Sequence, residues 1–295
     1  MAKSKSFFGL RTGSTKTLTF QVLNGKQITK DRVEIVKNPR TLSQMVTRCM
    51  MATASAAYSG MREIVNHSFE GYSYGQQNMS KFIAENISLL SANLNAAQSQ
   101  FSYNEYKVRS LLPGAYRVSM GSLPKSTYTF SASSGEGTIT LALTPSGITS
   151  NFTANALAAA LGLSVGEMST IVMLYGNAAA TGWNFGFVRV KFVKAGTTAI
   201  TAGNLADYFE IESNIGTPTP TVSATGVSLA FANVDIADTS AIVRGAIYSR
   251  KSANGWLRST CDLTVPAGTA LAPDFETAIA TYPVGTDYIL NGGAI

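Results

Sequence analysis

After about Leu112 the chain changes texture, and that change limits its fold more than any other feature. Gly, Ser, Thr and Ala dominate from there on. Short β-branched and aromatic runs recur near Tyr116–Met120, Thr127–Ala132, Gly137–Leu143, Thr170–Tyr175, Phe185–Val193, Tyr208–Glu212, Val227–Val234, Ala241–Ser249 and Trp256–Val265. Ser134-Gly135, Pro145-Ser146-Gly147, Pro218–Pro220 and Asn254-Gly255 punctuate them. Many short strands, separated by residues that accept tight-turn dihedrals, predict a β-sandwich or jelly-roll-like body. Ser249–Gly255 reads as a hairpin tip between two strong strands. Short helices are expected near Ala154–Leu163 and Pro273–Tyr282.

The first part of the chain is built differently. Thr15–Leu23 and Lys26–Val36 are alternating runs joined by Asn24-Gly25. Asn-Gly is the strongest local hairpin signal, because both residues accept the positive φ of a type I′ turn. Pro39 cannot continue a ladder, and Thr41 is a suitable N-cap. A helix is expected over about Leu42–Val65, with Leu42, Met45, Val46, Cys49, Ala52, Ala56, Ala57, Ile64 and Val65 at helical spacing and Gly60 as its weak point. A second helix is expected over about Gln76–Leu94, with Met79, Phe82, Ile83, Ile87, Leu90 and Leu94 on one side. The pattern predicts a β-dominated α+β fold in three segments: a basic arm and hairpin (1–37), a helical segment (38–112) and a β-rich domain (113–295).

Charge divides along the same lines. Residues 1–50 hold ten basic and two acidic residues, so they carry +8, whereas the remainder carries −2. Such a front end on a near-neutral body points to nucleic acid or an acidic neighbour as its contact. The candidate contact residues are Lys3, Lys5, Arg11, Lys16, Lys26, Lys30, Arg32, Lys37, Arg40 and Arg48, interleaved with Phe7, Phe8 and Phe20. The alternative is solvated strand-face charge, with Phe20 in the core of the hairpin. Only 14% of the residues are charged, against about a quarter in a typical soluble domain. A chain this poor in charge is expected to cover much of its surface with other subunits. Met1–Phe8, with two lysines and no adequate apolar stretch, does not match a secretory leader. The apolar runs are too short to cross a bilayer.

The search for chemistry comes back empty. His67 is the one histidine, and no Cys or acid stands near it in sequence to form a triad or a zinc site. Cys49 and Cys261 are too far apart to form a metal-ligand pair by spacing. Glu210 and Glu212 lie at i, i+2 on one strand face and read as a solvated pair. Asp235 and Asp238 lack a calcium-loop pattern. Gly135-Glu136-Gly137 is a turn rather than a dinucleotide fingerprint, and no phosphate-binding loop is present. The sequence therefore predicts no catalytic residues, no cofactor and no metal.

Asn38-Pro39-Arg40-Thr41-Leu42-Ser43-Gln44-Met45-Val46-Thr47-Arg48 fits an Asn-Pro-x-Thr-x-x-Gln-x-x-x-Arg run, preceded by Gly9, Gly13 and Gly25. Arg250–Thr260 reads Arg-Lys-Ser-Ala-Asn-Gly-Trp-Leu-Arg-Ser-Thr. In these two blocks, about a third of its length, the chain resembles a group of uncharacterised proteins from Bacteroidetes and their phages. Ala96–Asp235 has no counterpart in that resemblance. The run also has a purely structural reading. Asn38 and Thr41 satisfy free amides at a helix start, and Gln44 occupies the capping-box position.

The phage context of the resemblance implies a virion or assembly role, which the composition tolerates. The expectation is a non-enzymatic virion structural protein, capsid or capsid-associated, made in the host cytoplasm. It would self-assemble in many copies, with its arm on neighbouring subunits or viral nucleic acid and no membrane partner. The order of arm, hairpin, long helix and β domain resembles tailed-phage shell proteins, an alternative fold. The alternative function is a β-sandwich binding or adhesion module of a phage or bacterial surface, with Trp183, Tyr208, Trp256 and Tyr282 as candidate contacts. A hydrolase with a cryptic site is the third reading.

Overall fold

A computed structural model describes residues 3–4, 11–14, 18–23, 26–31, 51, 54–72, 75–95, 114–125, 130–179, 183–238, 240–253 and 255–266. The chain divides into two units, Met1–Thr41 with Ile289–Ile295, and Leu42–Tyr288. Leu42–Tyr288 holds most of the expected helical segment together with most of the expected β-rich region.

The first unit contains a four-stranded antiparallel sheet in sequence order: β1 (Lys3–Ser4), β2 (Arg11–Ser14), β3 (Leu18–Leu23) and β4 (Lys26–Asp31). Leu23 pairs with Lys26, so the β3–β4 connection is the two-residue Asn24-Gly25 turn that the sequence predicts. None of its residues whose burial is described is fully buried. Among the described residues, the hydrophobic face that a sheet needs for stability in water is therefore not sealed in a core.

The second unit is layered. Its helices are α1 (54–60), α2 (Arg62–Val65), α3 (Gln76–Asn95), α4 (Ala154–Ala160) and α5 (Leu205–Tyr208). A turn at Met61, next to Gly60, separates α1 from α2. The strands are β5 (Arg117–Ser119), β6 (Phe130–Gly135), β7 (Thr138–Leu143), β8 (Met168–Gly176), β9 (Trp183–Phe192), β10 (Phe209–Ser213), β11 (Thr219–Ser223), β12 (Gly226–Ala232), β13 (Ile242–Ser252), β14 (Gly255–Arg258) and β15 (Cys261–Asp262). They form a five-stranded sheet in the order β10-β9-β8-β13-β14, a four-stranded sheet in the order β11-β12-β7-β6, and the pair β15-β5. The fold is α+β and β-dominated.

Alternation of side chains along β8 explains the layering. Ile171, Met173 and Tyr175 join Val188, Val190 and Phe192 against Ile139, Leu141, Val227, Leu229 and Phe231 of the four-stranded sheet. The other face of β8 carries Val172 and Leu174. These join Phe187, Val243 and Ile247 against Ala57, Met61, Ile64, Val65 and Phe82 of the helices. Seven consecutive residues of β8, Ser169 to Tyr175, are therefore buried. A strand covered on both sides reads as a continuous run rather than as an alternating one.

Three strand readings need correction. Pro218–Pro220, expected as a turn, belongs largely to β11. Pro220 pairs with Leu229 on an edge strand, where a residue without an N–H is tolerated. Trp256–Val265, expected as one strand, divides into β14 and β15, which lie in different sheets. Ser259 breaks the run. Its Oγ accepts the Tyr248 amide at 2.8 Å while its own amide donates to Tyr248 O at 2.9 Å. Tyr208, expected to start a strand, closes α5 instead. The expected helix at Pro273–Tyr282, and Leu42–Met50 of the first expected helix, lie outside the described residues.

Candidate functional site

Of the ten basic residues singled out in the sequence, Lys3, Arg11, Lys26 and Lys30 fall in described strands. Lys5, Lys16, Arg32, Lys37, Arg40 and Arg48 lie outside the described residues, as do Phe7, Phe8 and the Asn38–Arg48 run. The β3–β4 register sorts the hairpin into two faces. Directly opposed residues share a face, so Thr19 with Lys30 and Gln21 with Ile28 lie on one side, together with Lys26. Leu18, Phe20 and Val22 lie on the other side with Asp31, Thr29 and Gln27. Lys26 and Lys30 are exposed and stand roughly 13 Å apart along the strand. Phe20 is thus not interleaved with these two lysines but backs them from the opposite face.

A second site appears in the unit Leu42–Tyr288, where the helical layer covers one end of the five-stranded sheet and leaves the other open. The open end is a cleft of about 400 Å³. Met168, Thr170, Arg189, Lys191, Glu210, Glu212, Ile247 and Ser249 line its floor, Glu63, Ile64, His67 and Ser68 one wall, and Trp256 and Arg258 another. Pairing puts every floor residue on the same sheet face: Arg189 opposes Thr170 and Glu212, Lys191 opposes Met168 and Glu210, and Ser249 opposes Arg258.

The charges on β9 and β10 are matched. Arg189 Nη1 donates to both Glu212 oxygens at 2.9 and 3.0 Å, and Lys191 Nζ donates to Glu210 Oε2 at 2.7 Å. Arg189 is further held by stacking over the buried Phe187 ring, 4.6 Å from its centroid. Glu210 and Glu212 are exposed on one strand face, as expected from sequence, and are in addition paired across strands with Lys191 and Arg189. The signal was legible: Arg189-x-Lys191 and Glu210-x-Glu212 are complementary charges at equal spacing on neighbouring strands.

The walls are fixed by buried polar groups. Ser119 Oγ lies 2.9 Å from Ser68 O and 2.7 Å from Ser259 O, its single O–H shared between the two carbonyls, and all three serines are buried. Glu70 accepts from the Ser122 amide at 2.9 Å, from the Ser122 hydroxyl at 3.0 Å and from the Arg258 amide at 3.3 Å. These bonds lower its pKa from the usual value, led by the Ser122 amide and opposed by burial. Leu123 N donates to Arg258 O at 2.8 Å. Gly121 permits this approach, since a Cβ there would lie 2.3 Å from Arg258 O and 2.6 Å from Glu70 Oε2. The segments after α2, after β5 and after β14 are thereby stitched into one frame.

Arg258 stands out within that frame. Its Nε donates to His67 O at 3.2 Å, and its guanidinium lies over the Trp256 ring, 5.2 Å from the centroid. Its Nη1 is buried without a hydrogen-bond partner among the described residues. Burial, and then the Arg189 charge, pull its pKa below the ordinary range. Burial likewise lowers the pKa of His67, helped by Arg258 and then Arg189. The neutral imidazole is thus favoured at one end of the cleft.

His67, set aside in the sequence as a loop histidine, therefore shares a cleft with Glu63, Glu210 and Glu212. Arg189, Arg258 and His67 were not singled out from sequence as binding residues. Of the four aromatic candidates, Trp256 lines this cleft and is exposed. Trp183 packs against the helical core and Tyr208 against the sandwich core, whereas Tyr282 lies outside the described residues. Among the described residues, no three His, Cys, Asp or Glu side chains are placed to hold a metal ion, and no helix is long and apolar enough to cross a membrane. Cys261 is buried, with its thiol pushed up to about 12 by desolvation, so it stays protonated at neutral pH. No known protein family, curated protein or solved structure matches the chain.

Proposed function

We propose that this chain is a non-enzymatic structural protein of a virion that assembles with copies of itself through its basic N-terminal unit. The observation that carries the proposal is the β1–β4 sheet, in which none of the residues whose burial is described is fully buried. A sheet that leaves Leu18, Phe20 and Val22 only half-buried on one face and Lys26 and Lys30 exposed on the other is suited to two different contacts. The apolar face suits a neighbouring protein surface, where burial supplies the missing core. The cationic face suits an acidic neighbour or a nucleic-acid backbone. Repetition of one such contact around a symmetry axis gives a closed assembly.

Deletion of Met1–Lys37 tests this. The full chain is expected to form shells, rings or tubes by size-exclusion chromatography and negative-stain microscopy, and the truncated chain to remain a small folded species. Normal particles from the truncated chain would remove the arm from the assembly mechanism. Retention of nucleic acid is expected to fall steeply with added salt, and a flat response would remove the nucleic-acid contact.

A further inference from the structure

The cleft in the second unit has features that assembly through the arm does not require. Six charged side chains line it: Arg189, Lys191, Arg258, Glu63, Glu210 and Glu212. Four of them neutralise one another across β9 and β10. Arg258 is different. Among the described residues no carboxylate lies within ion-pair distance of it, one of its N–H groups is buried and unpaired, and burial and the like charge of Arg189 outweigh the more distant Glu70 charge. A partly desolvated guanidinium without an ion-pair partner carries a free-energy cost that an incoming oxyanion would relieve. The Arg258 guanidinium is also held before any ligand arrives, by its Nε bond to His67 O, on a backbone that Glu70 and Leu123 fix. Little ordering cost would therefore remain at binding.

The remainder of the lining narrows the class of anion. With Arg189 and Lys191 already paired to Glu212 and Glu210, and Glu63 on one wall, the cleft offers little positive field to a polyanion such as a nucleic-acid backbone or a nucleoside triphosphate, whereas a single negative charge can be seated at Arg258. The floor alternates N–H donors from Arg189 and Lys191 with carboxylate acceptors from Glu212 and Glu210. Such an array suits adjacent hydroxyl groups, each of which both donates and accepts. Trp256, 39% exposed, supplies a flat apolar surface beside Arg258. An indole of this kind offers an apolar body to the C–H face of a sugar ring. The volume of about 400 Å³ falls in the range of small-ligand sites.

We infer that this cleft binds a carboxylated saccharide, with the carboxylate at the Arg258 guanidinium, the ring against Trp256, and hydroxyls shared between the Arg189–Glu212 and Lys191–Glu210 pairs. The inference is independent of assembly: loss of particles in the arm-deleted chain would leave it standing, and failure of binding would leave the arm's role standing.

Isothermal titration of the full chain with three probes tests it: a glucuronate-containing oligosaccharide, the matching neutral glucose oligosaccharide, and inorganic phosphate. The acidic saccharide is expected to bind saturably, about tenfold or more tighter than either of the others, a difference of about 1.4 kcal/mol. Trp256→Ala, at an exposed position, is expected to weaken acidic-saccharide binding about tenfold with an unchanged melting temperature. Arg258→Lys is expected to abolish the preference for the acidic over the neutral saccharide, because a point charge cannot reproduce a bidentate fork. No saturable binding of the acidic saccharide would overturn the inference. So would equal affinity for phosphate, or full affinity in a folded Trp256→Ala protein.

Discussion

Strands β4 and β8 make an instructive pair. Both lie in antiparallel sheets and both pair along their full length. In β4, five of six residues are exposed, whereas in β8 seven of nine are buried. Backbone pairing is satisfied in each, so hydrogen bonding does not distinguish them. The difference lies in what covers their faces. β8 sits between a second sheet and a helical layer, and β4 has neither within its own sheet. A strand ladder holds a shape, but the area removed from water supplies most of the stability. The second unit completes its core within itself, whereas none of the first unit's residues whose burial is described is fully buried.

The largest test of that contrast is a core truncation. Phe187→Ala is expected to cost about 3–5 kcal/mol, because the ring is buried between the sheet and the helices and leaves a cavity. Phe20→Ala, in the N-terminal sheet, is expected to cost less than about 1 kcal/mol in the unassembled chain. Urea unfolding measures both, and a Phe20→Ala loss as large as that of Phe187→Ala would break the comparison.

A smaller effect is expected at Glu167, a buried carboxylate before β8. It accepts hydrogen bonds from the Tyr248 hydroxyl, Arg250 Nε and the Ser164 amide. Burial raises its pKa, but these bonds together outweigh it and leave the value below normal. Glu167→Gln is expected to cost about 1–3 kcal/mol by thermal melting, since an ionised acceptor is replaced by an amide that cannot accept all three donors. An unchanged melting temperature would show that the charge contributes nothing there.

Acid titration sharpens the picture further. Arg117 joins Glu85 at 2.9 Å and Asp262 at 2.7 Å, tying α3 to β5 and β15. Both carboxyl pKa values are lowered, that of Glu85 chiefly by Lys81 and that of Asp262 chiefly by Arg117. The unfolded chain then binds protons more readily than the folded one. The stabilisation is fully present above the ordinary carboxylate values, 4.5 and 3.8, and is lost as pH falls through the lower folded values. Arg117→Met is expected to flatten that acid limb and, because the pairs are partly solvated, to cost about 1 kcal/mol or less at neutral pH. An acid limb as steep as in the unaltered protein would assign the pH dependence to other groups. Smallest of all, Lys26→Ser with Lys30→Ser is expected to change stability by less than about 0.5 kcal/mol while weakening particle formation or nucleic-acid retention. A large stability loss would mean that these lysines serve the fold of their own sheet.

Much of the architecture was legible from local signals. Asn24-Gly25 specified the first hairpin, and most of the short runs after Leu112 became strands close to their expected positions. Gln76–Leu94 became α3 almost to the residue. The failures have a common cause. Pro220 reads as a breaker because its missing N–H forbids a central strand, and only the edge position of β11 makes it acceptable. Trp256–Val265 reads as one strand because nothing local marks Ser259 as the point where the chain leaves one sheet for another.

The binding cleft was less legible still. His67 and Arg258 stand 191 positions apart and meet only through the frame of Ser68, Ser119 and Ser259. Each looks ordinary in its own neighbourhood. By itself, the sequence determined the β-dominated class, the basic front end and the pairing-competent strands, because turn chemistry, alternation and charge act over a few residues. Tertiary structure alone decided which sheet faces were covered, that Arg258 would stand beside Trp256 with no ion-pair partner among the described residues, and that His67 would join them. Burial and electrostatic neighbourhood are properties of groups brought together across the chain, and no short stretch of sequence contains them.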